Sequence, residues 1–278
     1  MKNRGKIFWL AFLLLLLGVT NPLFAQLTKD ENLSRFDDRT LHFGFYLGIN
    51  TMDYRFSHYN DVTQNPVFSS NNSDFLVNSD KDYYKGVHSY RVESYPLKPG
   101  FTVGGVVNLR MNSVIDFRFT PGMSLGVRQM KFSNDIDQFI SDPAVGGALY
   151  SGQTYERYLT TPSAYIDFPV GFRYKGFRHG NLRPYIYGGG AFRRDLESKR
   201  ISESVVHLNR NGYYAEIAFG LDTYLPYFRF SGEFKFSYGL NNLIRHDANM
   251  ASTTPLPYYG YVLKDLNSNI FTLIFFFE

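Results

Sequence analysis

The residues that could support catalysis are few and poorly grouped in this sequence. Residues 122–126, Gly-Met-Ser-Leu-Gly, match the G-x-S-x-G pattern of a serine nucleophile elbow. That elbow requires a sharp turn between a strand and a helix, whereas this segment lies inside a strand-like run with no helical pattern after it. We therefore expect Gly122 and Gly126 to help a strand bend, and we expect no catalysis at Ser124.

The metal-binding and cofactor-binding patterns give the same result. None of the six histidines is spaced from another histidine or a nearby carboxylate as metal ligands usually are. The chain has no cysteine, which excludes disulfide bonds, thiolate metal sites, cysteine nucleophiles and a lipidated cysteine anchor. We predict that the protein is not an enzyme, and we expect no cofactor, no metal ion and no small-molecule substrate.

Most of the remaining charged residues alternate with apolar residues, which is the pattern of β-strands. The clearest example is residues 228–238, where aromatic side chains form one face and polar side chains form the other. The aromatic face consists of Phe228, Phe230, Phe234, Phe236 and Tyr238. The polar face includes Arg229, Ser231, Glu233, Lys235 and Ser237. We find this alternation in eight segments of the chain.

These segments predict an all-β fold, specifically an eight-stranded antiparallel transmembrane up-and-down β-barrel. Aromatic residues are typical of the lipid-facing girdles of such barrels, and charged residues suit a lumen filled by side chains. The charged share of 19% is too high for a bundle of membrane helices, and the aromatic share of 18% is too high for a disordered chain. A water-soluble β-sandwich would also alternate and is the other fold that fits.

The connections between the predicted strands support the barrel. Long connections and short turns alternate strictly along the chain. The long ones are residues 55–98, 131–160, 198–210 and 241–266, and the short ones are residues 111–113, 175–182 and 224–227. Outer-membrane barrels have short periplasmic turns and longer external loops, with both termini in the periplasm. The pattern therefore predicts a location in the cell outer membrane.

The first residues predict export from the cytoplasm. Lys2, Arg4 and Lys6 precede an apolar run over residues 7–19, and the segment NPLFA at residues 21–25 follows, with Ala25 before Gln26. We interpret residues 1–25 as a cleaved signal peptide, although a retained anchor helix is the alternative. Residues 26–40 then form a periplasmic N-terminal segment, and residues 41–278 form the barrel domain. Cleavage removes three basic residues and no acidic ones, so the mature chain is nearly neutral and no nucleic-acid partner is expected.

The charged residues expected in the lumen nearly balance in sign. They are Arg110, Asp116, Arg118, Asp167, Arg173, Glu216, Asp222, Arg229, Glu233 and Lys235. An eight-stranded barrel is just wide enough for its own side chains, and an unpaired buried charge would be costly. We expect these residues to pair across neighbouring strands and close the barrel. A path for ions or protons is the alternative.

Three segments of the sequence resemble the PorT (SprT) barrels of Bacteroidota. They are LSRFDDRTLHFGFYLG at residues 33–48, FRRDL at residues 192–196 and YGLNNL at residues 238–243. That family consists of small outer-membrane barrels required for type IX secretion and gliding motility. The resemblance implies a noncatalytic accessory or assembly component in protein secretion to the cell surface. An eight-stranded barrel cannot conduct a polypeptide, so such a protein would act beside a larger pore.

This resemblance implies a working surface on the rims of the barrel. The candidates for interaction are Arg35, Phe36, Asp37 and Arg39 at the periplasmic rim, and Arg193, Arg194, Asp195, Asn241 and Asn242 at the outer rim. The expected partners are outer-membrane lipids, lipopolysaccharide and other secretion-system proteins. Two other functions stay open, namely a lipid-modifying enzyme of the outer membrane and a small passive channel or adhesin.

Overall fold

The computed structural model describes residues 31–59, 91–94, 98–135, 140–142, 147–149, 154–196, 208–244 and 263–278. The predicted signal peptide lies outside these residues, as do large parts of the long connections. No helix within the described ranges is long and apolar enough to cross a membrane.

The described residues form one short 3-10 helix and twelve strand segments. In chain order these are η1 Phe36–Asp38, β1 Leu41–His58, β2 Arg91–Ser94, β3 Pro99–Arg110, β4 Ile115–Phe119, β5 Gly122–Asp135, β6 Ile140–Asp142, β7 Gly147–Leu149, β8 Thr154–Lys175, β9 Leu182–Asp195, β10 Asn211–Tyr224, β11 Arg229–Gly239 and β12 Leu263–Phe277.

The main sheet closes into a ring of eight antiparallel strands. Neighbours pair in the order β1, β3, β4 with β5, β8, β9, β10, β11 and β12, and β12 pairs back with β1. Segments β4 and β5 occupy one position, because Thr120 and Pro121 interrupt the strand that they form. Segment β2 extends the β3 position by pairing with β5, and β6 and β7 form a separate small hairpin. The predicted barrel is confirmed, and the sandwich is excluded.

The two faces of the ring have the chemistry predicted from the alternation. On β11, Arg229, Glu233 and Lys235 lie in the buried lumen, while the outward-facing Phe234 is 70% exposed. The outward-facing Phe230 and Phe236 are only half-buried, since their rings pack against Phe275 and Phe271 of the neighbouring strand. Large apolar side chains therefore cover the outside of a polar interior, which is the arrangement of a barrel in lipid.

The apolar outer surface is a band of limited height. The outward-facing residues of β1 are apolar from Leu41 to Ile49 and polar from Thr51 to Ser57. The outward-facing residues of β12 change from Asn269 to Phe271 at the same level, because Asp53 pairs with Asn269 and Thr51 with Phe271. The apolar part of β1 is about as long as the 9–11 residues that a transmembrane β-strand needs.

The connections fall at opposite ends of the barrel. The turns that follow β3, β8 and β10 lie at one end, together with residues 31–40 and Glu278. We call this end the short-turn end. The four longer connections lie at the other end, which we call the long-connection end. Several residues that we expected in long connections belong to strands instead. These are residues 55–58, 91–94, 131–135, 154–160 and 263–266.

Candidate functional site

The lumen near the short-turn end is filled by paired charges. The Arg173 guanidinium lies 2.8 Å from the Asp116 carboxylate and 3.0 Å from that of Asp222. Lys175 approaches the second oxygen of Asp116 at 2.7 Å. All four side chains are nearly or completely inaccessible to solvent, and they come from β4, β8 and β10. A buried network of this kind joins neighbouring strands and blocks the interior.

A second part of this network involves Glu278, one residue beyond the last strand. Arg118 lies 2.7 Å from Glu233 and 3.7 Å from Glu278, and Arg229 also forms an ion pair with Glu278. Burial alone would raise the pKa of the Glu278 carboxyl. The guanidinium groups of Arg229 and Arg118 outweigh burial and hold this pKa below its usual value. Glu278 is therefore a charged partner in the lumen network.

The middle of the lumen contains a third group of ion pairs. Arg193 lies 3.3 Å from Asp167 and 2.7 Å from Glu216. Lys235 lies 3.6 Å from Glu216 and 3.6 Å from Glu233, so it links this group to the one described above. The expected pairing of the lumen charges is confirmed by these ion-pair distances. Arg110 is the exception, because it lies at the rim and pairs with Asp38 at 3.5 Å.

Residues 31–40 cover the short-turn end of this filled lumen. Asp37 of η1 accepts hydrogen bonds from the Tyr224 hydroxyl at 2.8 Å and from Arg183 Nη1 at 3.1 Å. The guanidinium of Arg178 stacks on the Tyr224 ring, with 3.8 Å between its central carbon and the ring centroid. Asn32 donates to the Tyr224 carbonyl oxygen at 3.1 Å. The segment is therefore bound to the turns that follow β8 and β10.

Phe36 extends from η1 into the mouth of the barrel. Its ring stacks on His42 with 4.2 Å between centroids, and the Arg229 guanidinium lies 4.8 Å from its centroid. Because Arg229 is itself part of the lumen network, Phe36 packs directly on the charged interior. Residues 31–40 and the lumen charges thus close the short-turn end together.

The serine of the G-x-S-x-G segment lies inside the barrel wall. Ser124 is buried on β5, where its hydroxyl is bonded to Asp167 and lies 2.9 Å from the Thr102 hydroxyl. A Cβ on Gly122 would collide with the hydroxyl of Tyr46, and a Cβ on Gly126 would approach the Met52 sulfur at 2.7 Å. The two glycines therefore make room for larger lumen side chains, and the segment begins directly after the break at Pro121. Ser124 is not at an exposed elbow.

Comparison with known families identifies this architecture. Residues 24–245 match the family model described as "Outer membrane protein beta-barrel domain". The chain belongs to this outer-membrane β-barrel family. The barrel is located in the outer membrane, and its short-turn end corresponds to the periplasmic side, because barrels of this class have short periplasmic turns and longer external loops.

Two solved outer-membrane proteins are distantly similar to this barrel. The outer membrane protein OprG from Pseudomonas aeruginosa has a TM-score of 0.37 and 11% sequence identity, over 84% of this chain and 91% of OprG. The outer membrane protease OmpT from Escherichia coli has a TM-score of 0.28 and 10% identity, over 86% of this chain and 96% of OmpT. A comparison with curated protein sequences finds no match.

The four candidates at the periplasmic rim of this outer-membrane barrel separate into two pairs. Arg35 and Arg39 are exposed, as we expected for an interaction surface. Phe36 and Asp37 are half-buried and bind the barrel itself through Tyr224, Arg183 and His42, as described above. Their side chains stabilise the segment that covers the lumen, so Arg35 and Arg39 are the two that remain available to a partner.

The candidates on β9 are divided by the alternation of the strand. Arg193 and Asp195 are buried in the lumen, so the expectation that they lie exposed at the outer rim is wrong. Arg194 is exposed on the outer face and is paired in register with Ile166 of β8, near the outer limit of the apolar band. It is the one residue of the three whose position suits contact with lipid head groups or a partner.

Asn241 and Asn242 form hydrogen bonds within the barrel wall. Asn241 accepts from the Tyr213 backbone amide at 2.9 Å and donates to the Asn211 carbonyl oxygen at 3.0 Å. Asn242 accepts from the Leu266 amide at 3.1 Å and donates to the Asp265 carboxylate at 3.0 Å. These bonds fix the chain after β11 to β10 and β12. Both asparagines are therefore occupied in a structural role, and neither is fully exposed.

Three residues that bind the N-terminal segment were not predicted from the sequence. Arg178, Arg183 and Tyr224 lie in or beside short turns, where a charged or aromatic residue has no distinctive spacing. A tyrosine at the last position of β10 was the available signal, since a lumen-facing aromatic residue at a rim needs something to cover it. Over the described part of the chain, no group of His, Asp and Glu could hold a metal ion.

Proposed function

We propose that this outer-membrane barrel is a noncatalytic accessory or assembly component of type IX protein secretion. The proposal combines the resemblance of residues 33–48, 192–196 and 238–243 to the PorT barrels with one structural observation. That observation is the closed interior, in which ion pairs fill the lumen and residues 31–40 cover its periplasmic end. A polypeptide has no route through such a barrel, so a role in export would be exercised from its surface.

Among the described residues, the candidates that remain for this role are few and basic. Of the nine candidates, Arg35, Arg39 and Arg194 are the exposed ones. A charged side chain at a rim stays hydrated when free and can pair with a partner when bound, so it contributes little to the fold. Phe36 and Asp37 support the proposal indirectly, since they hold the segment that carries Arg35 and Arg39.

The test is deletion of the protein in its own host, with two measurements on the same cells. We expect the deletion to prevent surface export of secreted proteins and to leave the mass spectrum of lipid A unchanged. Altered lipid A with normal export would instead assign the barrel to lipid modification. Normal export with unchanged lipid A would contradict both, and a role as a channel or adhesin would then be the one to test.

A further inference from the structure

The periplasmic rim contains a cleft that the proposed secretion role does not explain. Its volume is about 660 Å³, and it lies between residues 33–39 and the beginning of β1. Its lining includes Ser34, Arg35, Arg39, Leu41, Phe43 and Tyr227. The cleft is thus formed jointly by the segment that covers the lumen, the first lipid-facing residues of the barrel and a periplasmic turn.

Two unpaired cations lie at this cleft. Within the described residues, the side chains of Arg35 and Arg39 form no ion pair and no hydrogen bond. The neighbouring carboxylates are already occupied, since Asp37 binds Arg183 and Tyr224, and Glu278 binds Arg229. An anion that enters the cleft could therefore bind two guanidinium groups without breaking an existing ion pair. Guanidinium groups bind phosphate through paired, charge-assisted hydrogen bonds.

The apolar part of the cleft continues the lipid-facing surface. Leu41 and Phe43 are the first two residues of the apolar face of β1 and are 43% and 65% exposed. Tyr227, in the turn after β10, is 92% exposed and has the position of an interfacial aromatic residue. A molecule with its anionic group at Arg35 and Arg39 would therefore extend its apolar part along Leu41 and Phe43 into the membrane.

We propose that this cleft binds an inner-leaflet phospholipid, with its phosphate group at Arg35 and Arg39 and its acyl chains along Leu41 and Phe43. An acidic segment of a periplasmic protein could satisfy the arginines, but it would gain nothing from an apolar floor that is continuous with the bilayer. The lipid is therefore the occupant that satisfies both halves of the cleft. The proposal names a ligand for part of the rim discussed above and does not depend on the secretion role.

The test measures lipid binding to the full mature barrel purified in detergent. Native mass spectrometry is used to titrate phosphatidylglycerol and, in parallel, phosphatidylcholine with the same acyl chains. We expect the wild-type barrel to prefer phosphatidylglycerol and the Arg35→Ala/Arg39→Ala variant to bind it about 30-fold more weakly, since each arginine near an anionic lipid strengthens binding. Equal binding of phosphatidylglycerol by the wild type and this variant would overturn the proposal.

Two further variants separate charge from other effects. Arg35→Lys/Arg39→Lys keeps the charge and should retain most of the preference for phosphatidylglycerol. Arg210→Ala removes an exposed arginine at the opposite end and should bind like the wild type. A shift of the folded band on heating in SDS gels verifies that each barrel is folded. Weak binding by the Arg210→Ala variant as well would mean that general charge, and not the cleft, attracts the lipid.

A crosslinking experiment in cells distinguishes lipid from protein. A photoreactive residue in place of Ser34, which is exposed and lines the cleft, leaves both arginines intact and should give adducts with the mass of a phospholipid. Adducts with a periplasmic protein and none with lipid would overturn the proposal and assign the cleft to a protein partner. Export is measured separately, so loss of lipid binding with normal export would support the lipid site and contradict a role for these arginines in secretion.

Discussion

Tyr224 and Asp37 lie 187 positions apart in the sequence, and the tyrosine hydroxyl donates a hydrogen bond to the aspartate at 2.8 Å. Arg183 donates to the same carboxylate oxygen at 3.1 Å. Asp37 precedes the barrel, whereas Arg183 and Tyr224 lie on β9 and β10. This one carboxylate therefore binds the N-terminal segment to the periplasmic mouth of the barrel.

Replacement of Asp37 should release this segment and leave the barrel folded. Asp37→Ala removes a partly buried, charge-assisted contact with two partners, which corresponds to about 1–3 kcal/mol in the docking of the segment. The chain has no cysteine, so a single introduced cysteine can be labelled selectively. We expect a maleimide to label Phe36→Cys slowly when Asp37 is present and rapidly in the Asp37→Ala background. Equal rates in both would mean that Asp37 does not hold the segment.

A matched position controls for access of the reagent. Arg35→Cys is one residue away and exposed. Its labelling should be rapid in both backgrounds, because exposure at this position does not depend on the contact with Tyr224.

Replacement of Arg118 should destabilise the barrel strongly. Arg118→Met leaves the buried carboxylates of Glu233 and Glu278 without this cationic partner. Removal of one member of a buried ion pair typically lowers the free energy of unfolding by about 3–5 kcal/mol. The measurement is urea unfolding in detergent micelles, followed by far-UV circular dichroism. The double variant Arg118→Met/Glu233→Gln should recover part of this loss. A double variant less stable than Arg118→Met would contradict the pairing.

A charge at Phe234 should be unfavourable because this ring faces lipid. Phe234→Arg, near the middle of the apolar band, should reduce the free energy of unfolding in a bilayer by about 2–4 kcal/mol. Phe234→Leu is the control and should cost much less. Equal stability of the two variants in liposomes would mean that β11 does not contact the hydrocarbon at this position.

The adjacent residues Arg193 and Arg194 should respond in opposite ways. Arg193→Ala should lower the amount of folded barrel, because Asp167 and Glu216 lose a buried partner. Arg194→Ala should leave the folded amount unchanged, and under the proposed function it should reduce export. Immunoblots of the outer membrane and of secreted proteins from the same culture separate the two effects. Normal export by Arg194→Ala would remove this residue from the proposed surface.

The filled lumen predicts the absence of ion conduction. The wild-type barrel should give no conductance steps in planar bilayers. A variant without residues 26–39 should also give none, because the ion pairs of Arg118, Arg173 and Arg229 remain beneath the removed segment. Steps in the truncated barrel alone would show that the N-terminal segment, and not the charged network, is the barrier.

The barrel itself could be predicted from the sequence because lipid and lumen impose opposite chemistry on alternate residues. This alternation gives no signal at glycine residues, because glycine has no side chain. Gly188, Gly189 and Gly190 interrupt the alternation of β9, so the sequence placed Arg193 and Arg194 on the same rim although they lie on opposite faces. Tyr185 and Tyr187 are both buried in the lumen. Because alternate residues of a strand share a face, they place Arg193 in the lumen and Arg194 on the outer face.

The contacts at the two ends could not be predicted because they join distant parts of the chain. Asp37 meets Arg183 across 146 positions, and Asn242 meets Leu266 in a neighbouring strand. Local patterns contain no information on such pairs. The periplasmic rim was therefore identified correctly as a charged region, but which of its residues bind the barrel and which stay free emerged only from the fold.

Strand β8 is twice as long as the membrane requires. It runs for 22 residues from Thr154 to Lys175, and its apolar outer face ends near Ala164. At roughly 3.3 Å per residue, the remaining part continues for about 30 Å along the strand beyond the hydrocarbon boundary. It is paired over that length with β5, so the barrel presents a hydrogen-bonded wall of strands on the cell exterior. A molecule that docks on this wall would bind strands that are already ordered. Its binding would therefore include no entropy cost for ordering these strands.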